Sequence, residues 1–97
     1  MTLAMYDGNV MVGYSVNVIS TSIHYDSLTL AQNDLIYLHP GYRRGRHGLR
    51  LLRATEDGAR ARGAKIMIFG CKEGTSLISL LPKLGYTVDE VALCREL

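Results

Sequence analysis

The residues between positions 39 and 49 have the composition of an anion-binding loop. Gly45 and Gly48 would let the backbone approach a ligand with no Cβ in the way. Arg43, Arg44 and Arg46 would supply planar guanidinium donors that match phosphate oxygens. If a helix follows, its first N–H groups have no partner within the helix, and its dipole is positive at that end. The sequence of this stretch is His39-Pro40-Gly41-Tyr42-Arg43-Arg44-Gly45-Arg46-His47-Gly48-Leu49. It predicts a pyrophosphate site.

Charge alone does not decide what kind of anion binds. Five of the eleven basic residues fall between positions 43 and 53, with no acidic residue among them. Such a field suits an anionic cosubstrate and also suits nucleic acid. The sequence contains no recognisable helix-turn-helix or aromatic stacking platform, so nucleic-acid binding ranks last among the hypotheses. The loop is neither a Walker loop nor a Rossmann fingerprint, because it lacks both GK[ST] and GxGxxG.

Hydrophobic periodicity predicts the elements that position this loop. Two strands are expected over 3–23, joined at Asp7-Gly8 or by a turn extended through Asn9, with a bulge or strand end near Ile19 or Ile23. A third strand is expected over 28–38, with its 35–38 end covered on both faces, and a helix is expected from about 49 to Gly63. A buried strand over 65–69 and a helix over 76–84 follow, and Pro82 weakens the prediction of that helix. One or two strands are expected over 87–97. This β-β-β-α-β-α-β order predicts an α/β (α+β) fold with a mixed, mostly antiparallel sheet.

Length and composition indicate one domain over 1–97. The chain is 47% hydrophobic and 21% charged, as in ordinary globular proteins. No apolar run approaches the ~18–20 residues that span a bilayer, so we expect a cytoplasmic protein without membrane contact. Cys71 and Cys94 lack metal-site spacing, so we expect reduced thiols and no metal.

The loop resembles the acetyl-CoA signature [QR]-x-x-G-x-[GA] of the GNAT N-acetyltransferase superfamily. Arg43 takes its first position and Gly48 its last, while Arg46 stands where the family usually has its first glycine and Gly45 lies one residue earlier. The sequences of the stretches 37–43 and 81–86 are also similar to the corresponding sequences of family members. The resemblance covers about residues 3–97 and is greatest to phage-associated members.

The resemblance implies that acetyl-CoA is the cosubstrate and that an amine attacks its thioester directly. Backbone N–H groups would hold the pyrophosphate, with Arg43 assisting, and the main chain near Leu38 would pair with the pantetheine arm. The best candidate for the base is Asp34, which could equally be a strand-edge or turn aspartate. His24 and Tyr25 would face the acceptor, or else pack as a partly buried pair. The residues implied to bind the cosubstrate are Leu38, Arg43, Arg44, Gly45, Arg46, His47, Gly48 and Leu49.

Two departures from the family pattern open an alternative. The chain begins at what resembles the family's second strand, without the first strand and two helices, which would leave an apolar face that a homodimer could cover. Leu81 stands where many members have a tyrosine that protonates the leaving thiolate. The alternative is therefore a catalytically degenerate acyl-CoA-binding module or subunit, which would hold acyl-CoA without catalysing transfer.

Overall fold

A computed structural model describes residues 1–22, 28–71, 75–89 and 91–97. The described elements are the strands β1 (Thr2–Asp7), β2 (Val10–Ser22), β3 (Leu28–Leu38) and β4 (Ile66–Phe69), the helices α1 (His47–Ala61) and α2 (Ser76–Leu80), and short 3-10 helices at Pro40–Tyr42 and Leu81–Leu84.

The four strands form a mixed sheet in the order β1-β2-β3-β4. The β1–β2 and β2–β3 pairs are antiparallel, and the β3–β4 pair is parallel. Parallel neighbours need a long connection, and here the segment that contains α1 provides it. The predicted mixed, mostly antiparallel sheet with a strand–helix–strand unit is confirmed.

The β1–β2 hairpin turns at Gly8 and Asn9. Asp7 is still paired, opposite Val10, so the expectation of an Asp7-Gly8 turn is wrong and the turn that includes Asn9 is the one formed. Gly8 has φ of +60°, which glycine adopts without a Cβ penalty. The extra residue of β2 is Val12, which has no partner in the register between Met5 and Tyr6 of β1, so the bulge expected near Ile19 is wrong. β2 ends at Ser22, and position 23 lies outside the described residues.

The face of the sheet against α1 is lined by small and polar side chains. Ser15 and Asn17 are buried there, and Thr55 of α1 reaches the Ser15 hydroxyl. Farther along the same face is a small apolar core formed by Ala31, Ala59 and Ala64 with Met1, Ile19 and Met67. The polar centre of this layer requires hydrogen bonds, because buried polar groups are costly when unpaired.

The opposite face of the sheet exposes several large apolar side chains. The expectation that 35–38 is covered on both faces is wrong, because strand alternation directs Leu35 and Tyr37 away from α1, where they are 54% and 40% exposed. The ring of Tyr37 stacks on that of Tyr14 at 5.5 Å. Tyr6, Met11 and Val18 are also exposed.

The C-terminal third is less regular than expected. β4 is half-buried, not buried. Pro82 lies in a 3-10 helix that follows α2 and ends at Gly85, so the predicted single helix over 76–84 is divided. The predicted strands over 87–97 are wrong for the described residues of that range, which form no strand and leave Val88, Val91 and Leu93 exposed. Strand propensity alone does not hold a strand without a paired neighbour.

Candidate functional site

The loop between β3 and α1 is folded by short-range hydrogen bonds. His39 Nδ1 accepts from the Gly41 N–H at 3.1 Å, and its carbonyl accepts from the Tyr42 N–H at 2.8 Å. The Tyr42 ring lies edge-on between the rings of His39 and His47. The Tyr42 hydroxyl donates to the Asp7 carboxylate, and this hydrogen bond raises the pKa of Tyr42. The loop is thereby attached to the β1–β2 hairpin.

Among the described residues, the first N–H groups of α1 have no backbone hydrogen-bond partner. The N–H of Arg50 bonds to the carbonyl of Arg46, the residue before the helix, so the N–H groups at positions 47–49 precede the first intrahelical bond. Arg46 makes no side-chain cap. Gly45 has φ of +83°, and a Cβ built at Gly48 would have only Leu38 Cδ2 nearby, at 3.8 Å. The helix end is open to an anion.

The loop arginines are exposed, and within the described ranges none of the three forms an ion pair with a carboxylate. Arg43 turns back onto the strand: its Nε donates to the Leu38 carbonyl at 2.6 Å, and its guanidinium carbon lies 5.7 Å from the Tyr37 ring centroid. Arg44 and Arg46 remain on the surface beside the start of α1. The positive field predicted for this loop is therefore not neutralised locally.

β3 and β4 separate beside this helix end. Their pairing ends at Asn33 and Phe69, whereas β3 continues to Leu38. On its other side this end of β3 pairs with β2, where Gly13 lies opposite Leu38. The main-chain groups of 35–38 that face away from β2 have no β4 neighbour, so they could pair with an extended amide-containing ligand.

Asp34 occupies a bulge at the point of separation. Leu35 pairs with Val16 and Asn33 with Asn17, which leaves Asp34 as the extra residue of β3. Its side chain is exposed, and it makes no hydrogen bond with any described residue. His24 and Tyr25, expected near the acceptor, lie outside the described residues.

Solved structures share the overall fold of this chain. The chain superposes on a transcriptional regulator from Bacillus halodurans C-125 (TM-score 0.87, 15% identity, 99% of this chain and 65% of that one). It also superposes on a ribosomal-protein-alanine N-acetyltransferase from Brucella melitensis biovar Abortus 2308, with a TM-score of 0.81, 16% identity and coverage of 99% of this chain and 70% of that one. A third superposition is on a GNAT family acetyltransferase from Staphylococcus aureus subsp. aureus USA300_TCH1516, with a TM-score of 0.80, 16% identity and coverage of 99% of this chain and 64% of that one. The protein has the GNAT fold.

The GNAT likeness is one of structure. No family model matches the sequence, and no curated protein matches it either. The chain spans about two thirds of the length of the structures named above. At these identities the likeness establishes the fold alone.

Leu81 and Tyr86 differ in their surroundings or chemistry from the tyrosine that protonates the leaving thiolate in many GNAT members. Leu81 is buried at 5% exposure and has no proton to give. Tyr86 donates to Glu56 Oε2 at 2.6 Å, and its ring lies edge-on to Phe69 at 5.6 Å. Burial, followed by the hydrogen bond to Glu56, raises the pKa of Tyr86 above its usual range. Tyr86 is therefore held against α1 as a neutral phenol.

Sequence reasoning missed the contact between Tyr42 and Asp7, which are 35 residues apart. It also missed a shallow cavity of about 300 Å³ between the hairpin and the first turns of α1. The residues that line it are Met5, Tyr6, Asp7, Val12, Tyr42, His47 and Arg50. No local pattern indicates either feature, because both arise where the hairpin meets the loop.

The described residues contain neither a metal-ligand cluster nor a candidate membrane span. Within the ranges described, no group of three or more His, Cys, Asp or Glu side chains could hold a metal ion. Cys71 and Cys94 are free, and burial raises the pKa of the Cys71 thiol. No helix of the described part is both long and apolar enough to cross a bilayer.

Proposed function

We propose that the protein binds acetyl-CoA and transfers its acetyl group to an amine. The observation that carries this proposal is the proximity of two features: the open N-terminus of α1 and the edge of β3 at 35–38, which lies beyond the last β3–β4 pair. Gly48 and Leu38 lie in contact range, since a Cβ at Gly48 would be 3.8 Å from Leu38 Cδ2. A pyrophosphate joined to an amide-containing arm suits this pair of features, because helix N–H groups bind the phosphates and a strand edge pairs with the amides.

The proposed cosubstrate contacts use the main chain more than the side chains. Backbone N–H groups over 44–49 would hold the pyrophosphate, and Arg44 and Arg46 would add charge at the rim. Arg43 in this structure covers the Leu38 carbonyl, so its guanidinium must move for a pantetheine amide to reach that oxygen. A cytoplasmic location belongs to the same proposal, as expected from the sequence.

The transfer proposed is direct. The amine nitrogen attacks the thioester carbonyl carbon, a C–N bond forms, the C–S bond breaks and coenzyme A leaves as a thiolate. The proton of the attacking amine passes to a base, for which we propose Asp34. Because Leu81 cannot donate, the thiolate takes its proton from water.

The test is amine-dependent release of free thiol. Acetyl-CoA and a panel of amines (small amines, aminoglycosides, peptide N-termini and lysine peptides) are incubated with the wild-type protein and with Asp34→Ala. The expected result is thiol release with at least one amine, reduced about 100-fold or more in Asp34→Ala, the range of general base catalysis. Gln32→Ala, another exposed residue of β3, is the control and should release thiol at the wild-type rate.

The second candidate is an acyl-CoA-binding module, and the buried Leu81 favours it. It predicts acetyl-CoA affinity with no amine-dependent thiol release across the panel. A ligand affinity that falls steeply with salt, without discrimination among anions, would indicate nucleic-acid binding instead.

We further propose that the open face of the sheet packs against a second copy of the chain. Large apolar side chains of this face are exposed, with Val18 at 55% and Leu35 at 54%, and exposed apolar patches mark interaction surfaces. Sedimentation should give a dimer that Val18→Asp converts to a monomer. A wild-type protein that sediments as a monomer at all concentrations would refute this.

A further inference from the structure

The bulge of β3 is held by the side-chain amide of Asn33. Asn33 Nδ2 lies 2.9 Å from Asn17 Oδ1 and 3.1 Å from the Leu35 carbonyl, with longer contacts of 3.3 Å to Ser15 Oγ and the Val16 carbonyl. An amide NH2 has two hydrogens, so the two shorter contacts are the principal bonds. The bond to Leu35 spans the bulge, because it joins the residue before Asp34 to the residue after it.

Asn33 is the half-buried end of a buried polar chain that reaches α1. Asn17 Nδ2 donates to Ser15 Oγ at 2.9 Å, and the Thr55 hydroxyl lies 3.0 Å from the same oxygen. Thr55 Oγ1 also donates to the Leu51 carbonyl at 2.8 Å. Ser15, Asn17 and Thr55 are at most 3% exposed, and within the described residues no buried side-chain N or O atom lacks a partner. The chain therefore connects the helix that bears the proposed phosphate site to the bulge.

The position of the bulge makes this connection relevant to the ligand. Asn33 is the last β3 residue that pairs with β4, and beyond it no described strand pairs with the β4 side of β3. A bulge bends a strand and redirects the residues that follow. The direction of 35–38 relative to the start of α1 is consequently set by the bulge and by the bonds that hold it.

We propose that Asn33 is a positioning residue for the acyl-pantetheine arm of acetyl-CoA. Its amide, backed by Asn17, Ser15 and Thr55, keeps the edge of β3 at the distance from α1 that lets one ligand contact both. This inference rests on the proposed function. Asn33 itself would not contact the pyrophosphate.

The test compares two ligands that differ by the pantetheine arm. Calorimetric titration with acetyl-CoA and with 3′-phospho-ADP, the half of coenzyme A that lacks pantetheine, is carried out on wild type, Asn33→Ala, Asn33→Asp and Gln32→Ala. Asn33→Ala and Asn33→Asp should each weaken acetyl-CoA binding about tenfold or more, a change of about 1.4 kcal/mol. Their affinity for 3′-phospho-ADP should stay within about twofold of wild type, because the start of α1 is unaltered. Gln32→Ala should leave both affinities unchanged.

Several outcomes would overturn the inference. One is an acetyl-CoA affinity that is unchanged in folded Asn33→Ala, and another is an equal loss of affinity for both ligands. Wild-type behaviour of Asn33→Asp, which keeps the volume but not the two donors, would show that shape and not hydrogen bonding matters. Asn33 is half-buried, and the aspartate variant retains its size, so a folded variant is expected for the comparison. A wild-type protein that binds neither ligand would instead refute the proposed function itself.

Discussion

Replacing Gly13 by alanine should strain the end of β3 from the side of β2. A Cβ at Gly13 would lie 3.0 Å from both the Tyr37 carbonyl oxygen and Leu38 Cδ1. The carbonyl belongs to the paired backbone of β3 and cannot rotate away as a side chain could. Overpacking of this kind costs about 1–3 kcal/mol, and the lower entropy of the unfolded alanine chain offsets about 0.4–1 kcal/mol of it.

The net loss expected is about 1–2 kcal/mol, which for a chain of this size lowers Tm by roughly 5 to 15 °C. Thermal unfolding followed by circular dichroism measures it. The control is Gly70→Ala, because Gly70 follows β4 with no atom within 4 Å of an added Cβ, and its Tm should stay within a few degrees of wild type. A Gly13→Ala protein as stable as the Gly70→Ala control would refute the close approach of β2 to Leu38.

Two further predictions concern hydrogen bonds made by α1. Thr55 is fully buried, and Thr55→Val removes the hydroxyl that joins Ser15 to α1, so it should lower the free energy of urea unfolding by about 1–3 kcal/mol. Thr55→Ser keeps the hydroxyl and should lower it by about 1 kcal/mol or less. A larger loss in Thr55→Ser than in Thr55→Val would contradict the polar chain. The raised pKa of Tyr86 means that the folded state favours the neutral phenol, so its contribution to stability is present below the unfolded pKa of about 10 and is lost as pH rises above that value. Tyr86→Phe should therefore lose less stability than wild type between pH 8 and pH 11, as measured by the denaturant midpoint, and equal losses would contradict the burial of the phenol together with its bond to Glu56.

The strands, the first helix and the anion loop could be predicted because their signals are local. Alternation over 10–18 fixes a strand, Pro40 ends β3, and Gly63 follows the end of α1. The GNAT resemblance of 43–48 likewise depended on a short contiguous stretch, and the fold agrees with it.

The features that local patterns missed depend on partners distant in sequence. The alternation of β2 predicts two faces but not which of them packs against α1. In the structure it is the face that bears Ser15 and Asn17. The Tyr42–Asp7 bond and the bonds of Asn33 require the strand register, which the sequence alone does not give. The strand expected over 87–97 had suitable residues but depends on a neighbour with which to pair.

Binding of acetyl-CoA at the start of α1 tests the central claim most directly. Gly48→Glu places a carboxylate at the second residue of α1, where space is open and a negative charge favours the helix, so the variant should fold at least as well as wild type. Acetyl-CoA at about a hundred times its Kd should stabilise the wild type by roughly 2.7 kcal/mol and raise its Tm by ten degrees or more. The account predicts this shift in wild type and its loss in Gly48→Glu. An absent shift in folded wild type, or an equal shift in both proteins, would contradict it.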